Sequence, residues 1–234
     1  MSDRSKHRRR RGILLPGLAL CLLLIGLGVW QVQRLIWKTD LIARTEAALA
    51  APPVAAPETP PTGDFEYRRV TLSGHYLPGA DTLVRAVTDR GPGYWVMTGF
   101  QADAGWQLLV NRGFVPETRT DAAERTAPSG PVTLTGLMRA SQPGGAFLRS
   151  NDPAGGRWFS RDTAAIADAT GIGPVVPWFL DLDRGDALAL PIGGLTVVAF
   201  PNNHLSYALT WFAMAAGLAV LLHVATRQST DPQD

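Results

Sequence analysis

The chain has 234 residues, 46% of them hydrophobic, and 22 Lys+Arg against 20 Asp+Glu give a formal net charge of +2. Length admits one or two domains, and the basic charge gives no argument for a nucleic-acid partner, none being expected: Arg4, Lys6, Arg8, Arg9, Arg10 and Arg11 stand together at the N-terminus, whereas residues 31–204 hold 15 basic and 17 acidic side chains. Cys21, the single cysteine, excludes a disulfide framework, a C-x-x-C-H haem attachment and a Cys-based metal centre.

In chain order, the basic block is followed by the uncharged run Gly12–Trp30. At 1.5 Å per residue, about 19 residues span roughly the hydrocarbon core of a bilayer. A cleaved signal peptide shares the basic start and apolar centre, but this run is long for one, has no small-x-small site close behind it, and carries Leu20 where a lipoprotein-type cleavage before Cys21 wants a small residue. It continues into "WQVQRLIWK", where Trp30 and Trp37 suit an interfacial belt and Arg34 and Lys38 can snorkel. The stretch "KTDLIARTEAAL" keeps helical spacing until "AAPPVAAPETPPTG" breaks it as a stiff extended linker.

From Phe65 the pattern turns to strands: "YRRVTLSGHY", "DTLVRAV", "GYWVMTGFQ", "GWQLLVNRGFV", "VTLTGLMRA", "PWFLDLD" and "LTVVAF", with "ADAGW" as a hairpin turn. One helix interrupts them, "DTAAIADATG", with Asp162 at its start and Gly171 at its end. A second apolar run, Leu205–Val224, returns the chain to Arg227. The expected fold is a membrane protein with two transmembrane α-helices flanking a mainly-β, barrel- or sandwich-like extracytoplasmic domain with one inserted helix. Its expected division is a basic cytoplasmic tail (1–11), the first span with its interfacial extension (12–36), helical extension and linker (37–63), β domain (64–203), second span (204–226) and cytoplasmic tail (227–234). By the positive-inside rule both termini are expected in the cytoplasm and the central domain outside; the short, arginine-rich N-terminus without a long presequence suggests a bacterial plasma membrane, with that domain in the periplasm.

Enzymatic motifs are scarce, with no G-x-S-x-G, H-E-x-x-H, P-loop or strand-to-helix G-x-G-x-x-G, so the chain is expected not to be an enzyme. Asp181, Asp183 and Asp186 put two carboxylates on one strand face, a pattern open to a cation or to acid/base work, but with no second cluster to partner them they read as a solvated strand end. Copper delivery is a poor fit, because soft cysteine ligands are missing from the β domain and Met97 and Met138 stand far apart. His7 reads as solvated and His75 as a surface residue of a turn or strand end. His204 and His223 are 19 residues apart, about 28 Å along one helix, and cannot share a ligand. On a helix His204 is joined by Tyr207, Ala208 and Trp211, a face against which a haem can lie with the imidazole on its iron. The same residues equally suit a helix cap and an aromatic belt, with Asn202 or Asn203 as the cap. Trp30, Arg34 and Trp37 make a matching face on the first span, Arg34 meeting either a haem propionate or a lipid phosphate. Gly17 and Cys21 on one span, and Ala213 and Gly217 on the other, are small enough to let the two pack closely.

Five motifs in this order, "LGVWQVQRLIWK", "YRRVTLSGHY", "GPGYWVMTGF", "LLVNRGFVP" and "NNHLSYALTW", resemble the Surfeit locus protein 1 family, from about Leu27 to Trp211. The resemblance implies an assembly factor for haem-copper terminal oxidases, mainly cytochrome c oxidase, that binds haem a and assists its insertion into the catalytic subunit. It implies partners in that subunit, in haem a synthesis enzymes and in membrane lipid. It makes His204 the iron ligand, with Trp30, Arg34, Tyr207 and Trp211 around the haem, and makes Gly93, Tyr94, Asn111, Arg112 and Gly113 a partner-facing or structural motif. Thr98-Gly99 and Phe114 depart from the family pattern, where Thr-Pro and Trp are expected. A scaffold that binds the oxidase subunit without haem is the other reading of the same motifs. A tethered envelope sensor is a third, against which the five ordered motifs count.

Overall fold

The computed structural model describes residues 3–59, 63, 65–146, 148–185, 189–195 and 200–228, and for residues 3–11, 13 and 228 it describes the backbone alone. The side chains of the basic block, Asp186 and most of the expected strand at 195–200 lie outside the described residues. Two units are distinct, residues 1–44 with 199–234, and residues 45–198.

The first unit is helical. Helix α1 runs Asp3–Ala50 and the C-terminal helix, α3, runs His204–Gln228. Both contain segments long and apolar enough to cross a membrane, Leu14–Ala50 and His204–Arg227.

The second unit is a closed sheet. Its strands are β1 (Val54–Ala55), β2 (Arg69–Thr88), β3 (Gly91–Ala102), β4 (Gln107–Pro116), β5 (Val132–Ala140) and β6 (Trp178–Leu182). They are ordered β1-β2-β3-β4-β6-β5, and β2 pairs again with β5 to close the ring. Two strands expected as separate are one: β2 passes through "LPGA" as a bulge, its register with β3 jumping between Tyr76 and Asp81. Pro78 and Gly79, the latter at φ +71°, suit a bulge better than a ladder. The bend lets residues 69–74 pair with β5 while 81–88 stay on β3, which is how a single strand serves both sides of the closure. Within the linker, Val54 and Ala55 pair in parallel with Val70 and Thr71.

Alternation divides the core. Val70, Leu72, Phe100, Leu108, Val110, Met138, Trp178 and Leu180 fill the inside of the ring. Val84, Met97, Leu109 and Phe179 face outward, where Trp158 and Ile166 of α2 (Thr163–Thr170) cover them. Helix α2 begins as its sequence dictates, with the Asp162 carboxylate accepting from Ala165 N, and ends at Gly171 in the left-handed conformation.

Candidate functional site at the head of the helix pair

The helices of the first unit pack antiparallel on a seven-residue repeat. Leu14, Cys21, Gly28 and Leu35, and Gly17, Leu24, Gln31 and Lys38, are the sheltered rows of α1. A seam with apolar residues repeating every seven packs knobs into holes. The absent side chains are filled by the other helix: a Cβ on Gly17 would lie 2.5 Å from Leu222 and one on Gly28 2.5 Å from Phe212. Cys21 Sγ donates to Ala215 O at 3.7 Å. Ala208 and Ala215 are buried, at 2% and 4% exposure. The expected pair Ala213 and Gly217 turns away, and nothing lies near Gly217. Each is two residues from Ala215, so about 100° per residue carries both to the far side of the helix. Replacing Gly28 by leucine should force Phe212 out of its recess, lowering the stability of the pair by about 1–3 kcal/mol. Thermal unfolding of the full chain in detergent, followed by helical circular dichroism, measures this, and an unchanged curve would contradict the packing.

At the head of this seam, His204 Nδ1 lies 2.7 Å from Gln31 Oε1. With the amide oxygen as partner, Nδ1 donates, and the lone pair of the neutral ring is on Nε2. Asn202 Nδ2 donates to Thr39 Oγ1 at 3.4 Å, so Asn202 ties α1 to the start of α3. Lys38 Nζ stands 5.0 Å from the centre of the Phe200 ring. The candidates from the sequence divide. His204 and Trp211 lie in the half-buried margin of the seam, while Tyr207, Trp30 and Trp37 are 55%, 50% and 50% exposed. Arg34 lies over the Trp37 ring at 4.6 Å. Tyr207 is therefore turned away from Ala208, and the residue opposite His204 is Gln31. His223 is exposed near the other end of α3. No cluster of three or more His, Cys, Asp or Glu able to hold a metal occurs among the described residues. The head of the pair thus offers one imidazole nitrogen, aromatic surface and two cations, Arg34 and Lys38.

In the β domain the "NRG" motif lies inside. Asn111 Nδ2 donates to Asp181 Oδ1 at 2.6 Å, and Arg112 donates to the carbonyls of Arg125 and Thr126 at 2.6 and 2.9 Å. Burial lowers the Arg112 pKa, with Asp81 opposing that shift. Gly113, at φ +131°, admits the backbone of Ile192. Gly93 leaves room for Val115 O and the Phe114 ring. Tyr94 is half-buried and its hydroxyl accepts from Arg85 at 3.0 Å. Residues 111–115 are all buried, so the side chains from Asn111 to Val115 serve the interior of the domain.

Asp181 does not lie at the solvated strand end expected of it. It is 3% exposed and holds Asn111, Arg139 and Arg161, the arginines at 3.3 and 3.2 Å. Asp183 pairs with Arg69 at 3.6 Å. Arg112 also steadies one wall of a cavity of about 970 Å³ between the β2 bulge and the 122–131 loop. His75 is exposed at its rim, within β2 and not in a turn. Tyr76 stands beside it, its pKa raised to about 12, chiefly by burial.

Comparison with known proteins decides the family. The chain matches the SURF1 family over residues 18–216, which include α1 from residue 18, the β domain and α3 as far as residue 216. The chain belongs to the SURF1 family. It is similar to the mouse (Mus musculus) Surfeit locus protein 1, 35% identical over 229 aligned residues covering 89% of this chain and 72% of that protein. Its identity to the human (Homo sapiens) Surfeit locus protein 1 is 34%, covering 84% and 71%. A SURF1-like protein of Drosophila melanogaster is 37% identical, covering 84% and 71%.

In this SURF1-family chain, "WQVQR" draws attention to Trp30 and Arg34, yet the residue of that stretch that meets His204 is Gln31, and Lys38, legible as a snorkelling residue, stands beside Phe200. The signal was available. Gly17, Leu24, Gln31 and Lys38 stand seven apart, so whatever small residues brought the helices together also had to aim Gln31 at the partner. A belt reading of Trp30, Trp37 and Tyr207 looks along the outward faces and cannot find it.

Proposed function

We propose that this protein is a membrane-anchored assembly factor for cytochrome c oxidase that holds haem a as cargo at the head of its helix pair and assists its insertion into the catalytic subunit. The observation that carries the reading is the hydrogen bond from His204 Nδ1 to Gln31, which leaves Nε2 as the nitrogen with a free lone pair. His204 would hold a bound haem a through its iron, and Trp211, half-buried on α3 near the buried Ala208, would offer aromatic surface for its ring. Arg34 and Lys38 lie on α1 beyond Gln31, about one and two turns along, as cations for propionates. One histidine suits exchangeable ligation better than two. The protein breaks no bond in its cargo, so it is read as a non-enzyme. The oxidase catalytic subunit, the haem a synthesis enzymes and lipid are the proposed partners. The proposed location is a bacterial plasma membrane, crossed twice, with both termini cytoplasmic and the β domain periplasmic.

The scaffold reading draws on the outward turn of Tyr207 and Trp30, which as belt residues need no haem. One experiment separates the two. The full chain, produced together with haem a synthesis enzymes and purified in mild detergent, is compared with His204→Ala and His223→Ala by absorption spectrum and haem content. Haem a retained by the wild type and by His223→Ala, and lost from a folded His204→Ala, is the expected result. A colourless wild type, or equal haem in all three, would favour the scaffold.

A further inference from the structure

Gln31 is a buried polar residue on the sheltered face of the α1 membrane segment, at 9% exposure. An amide placed there is costly unless it meets a partner, and here the partner is the His204 imidazole at 2.7 Å. A neutral histidine lacking such an acceptor distributes its proton over both ring nitrogens, and the Nε2–H form has no lone pair there for a metal. The acceptor therefore decides which nitrogen is presented. Its charge decides something further. A carboxylate on the far nitrogen raises the basicity of a ligating imidazole, whereas a neutral amide does so less.

We propose that Gln31 is a positioning residue that fixes His204 as a ligand through Nε2 and, being neutral, keeps that ligation weak enough for the haem to leave. The inference rests on the reading of His204 as the haem ligand. It goes beyond that reading by assigning to a specific residue the balance between holding the cargo and releasing it. The position is constrained from both sides. Gly28 on the Gln31 side, closed over by Phe212, sets how near the helices approach, and the Asn202 bond to Thr39 lies beyond it, so the two side chains meet between fixed contacts.

The test uses the full chain in detergent micelles, titrated with haem a, in four forms: wild type, Gln31→Leu, Gln31→Glu and His204→Ala. Three quantities are read: affinity, the rate of haem transfer to excess apomyoglobin, and the midpoint potential of the bound iron. Gln31→Leu should bind about 10–100-fold more weakly. Gln31→Glu should move the other way, releasing haem about tenfold more slowly and with a more negative midpoint potential, because the carboxylate strengthens the imidazole as a ligand to ferric iron. A packing role does not produce opposite shifts from leucine and glutamate. Equal weakening by both substitutions, or wild-type affinity, release and potential in both beside a His204→Ala that loses haem, would overturn the role of Gln31 while leaving His204 as ligand. Haem retained by His204→Ala at wild-type affinity would overturn both.

Discussion

Replacing Asp181 with alanine is expected to destabilise the β domain by about 3–5 kcal/mol, the usual consequence of removing one partner from a buried ionic cluster. Asp181 accepts from Asn111, Arg139 and Arg161 while 3% exposed. Arg161 lies over the Phe179 ring at 4.7 Å, with burial pulling its pKa down and Asp181 opposing that pull. Arg139 keeps a second carboxylate partner in Glu66 at 3.2 Å, whereas the ion pair of Arg161 is with Asp181. Without Asp181 a desolvated guanidinium remains in a recess shaped for a neutralised one. Because whole domains are stable by only about 5–15 kcal/mol, the variant should show a large loss of folded protein. Pulse proteolysis of the full chain in detergent across a urea series measures it. Simultaneous replacement of Asp181, Arg139 and Arg161 by leucine, methionine and methionine should cost less than Asp181→Ala alone, since no charge is then left buried. Indistinguishable midpoints for wild type and Asp181→Ala would mean the cluster is solvated after all.

This cluster also shows where the sequence stopped being legible. Alternation in "WFLDL" correctly sends Trp178 and Leu180 one way and Phe179 and Asp181 the other. What local pattern does not contain is the cover over the outer face, because Trp158 and α2 arrive from residues 158–170 and the arginines from two further segments. Features decided within a few residues were readable: the caps of α2, the turn at Asp103–Ala104 and the extended stretch Val54–Ala55 of the linker. The β2 bulge lay between these cases. "LPG" signals an interruption, yet only the pairing of one strand with both β3 and β5 explains why the chain bends there and does not turn back. At the helix pair, small residues announce close packing, but Ala213 and Gly217 lie on the far side of α3, because its sheltered row runs through Ala208 and Ala215. The sheltered row of Gly17, Leu24 and Gln31 on α1 brings Gln31 to His204, a pairing that rests on helical phase and not on residue size.

The second large effect is expected at Gly113, where alanine should cost about 3–5 kcal/mol from strain, overlap and lost hydrogen bonds together. At φ +131° a Cβ is already disfavoured, and here it would lie 2.4 Å from both C and O of Ile192 and 2.7 Å from Gly193 N. These are backbone atoms, so no rotamer change relieves the overlap. Moving the Ile192 segment instead would break the two bonds it exchanges with Phe114, each 2.9 Å. The effect would also spread inward, since Gly113 N donates to Asn111 Oδ1 at 3.2 Å and Asn111 in turn holds Asp181. Gly171→Ala is the control that separates conformation from contact: Gly171 also has a positive φ, +68°, but nothing lies within 4 Å of its added Cβ. That variant should lose only about 1–2 kcal/mol. In the same urea series, Gly113→Ala should therefore unfold well before Gly171→Ala. Equal midpoints for the two would show that the Ile192 segment yields freely, and that the glycine of "NRGFVP" answers only to backbone conformation.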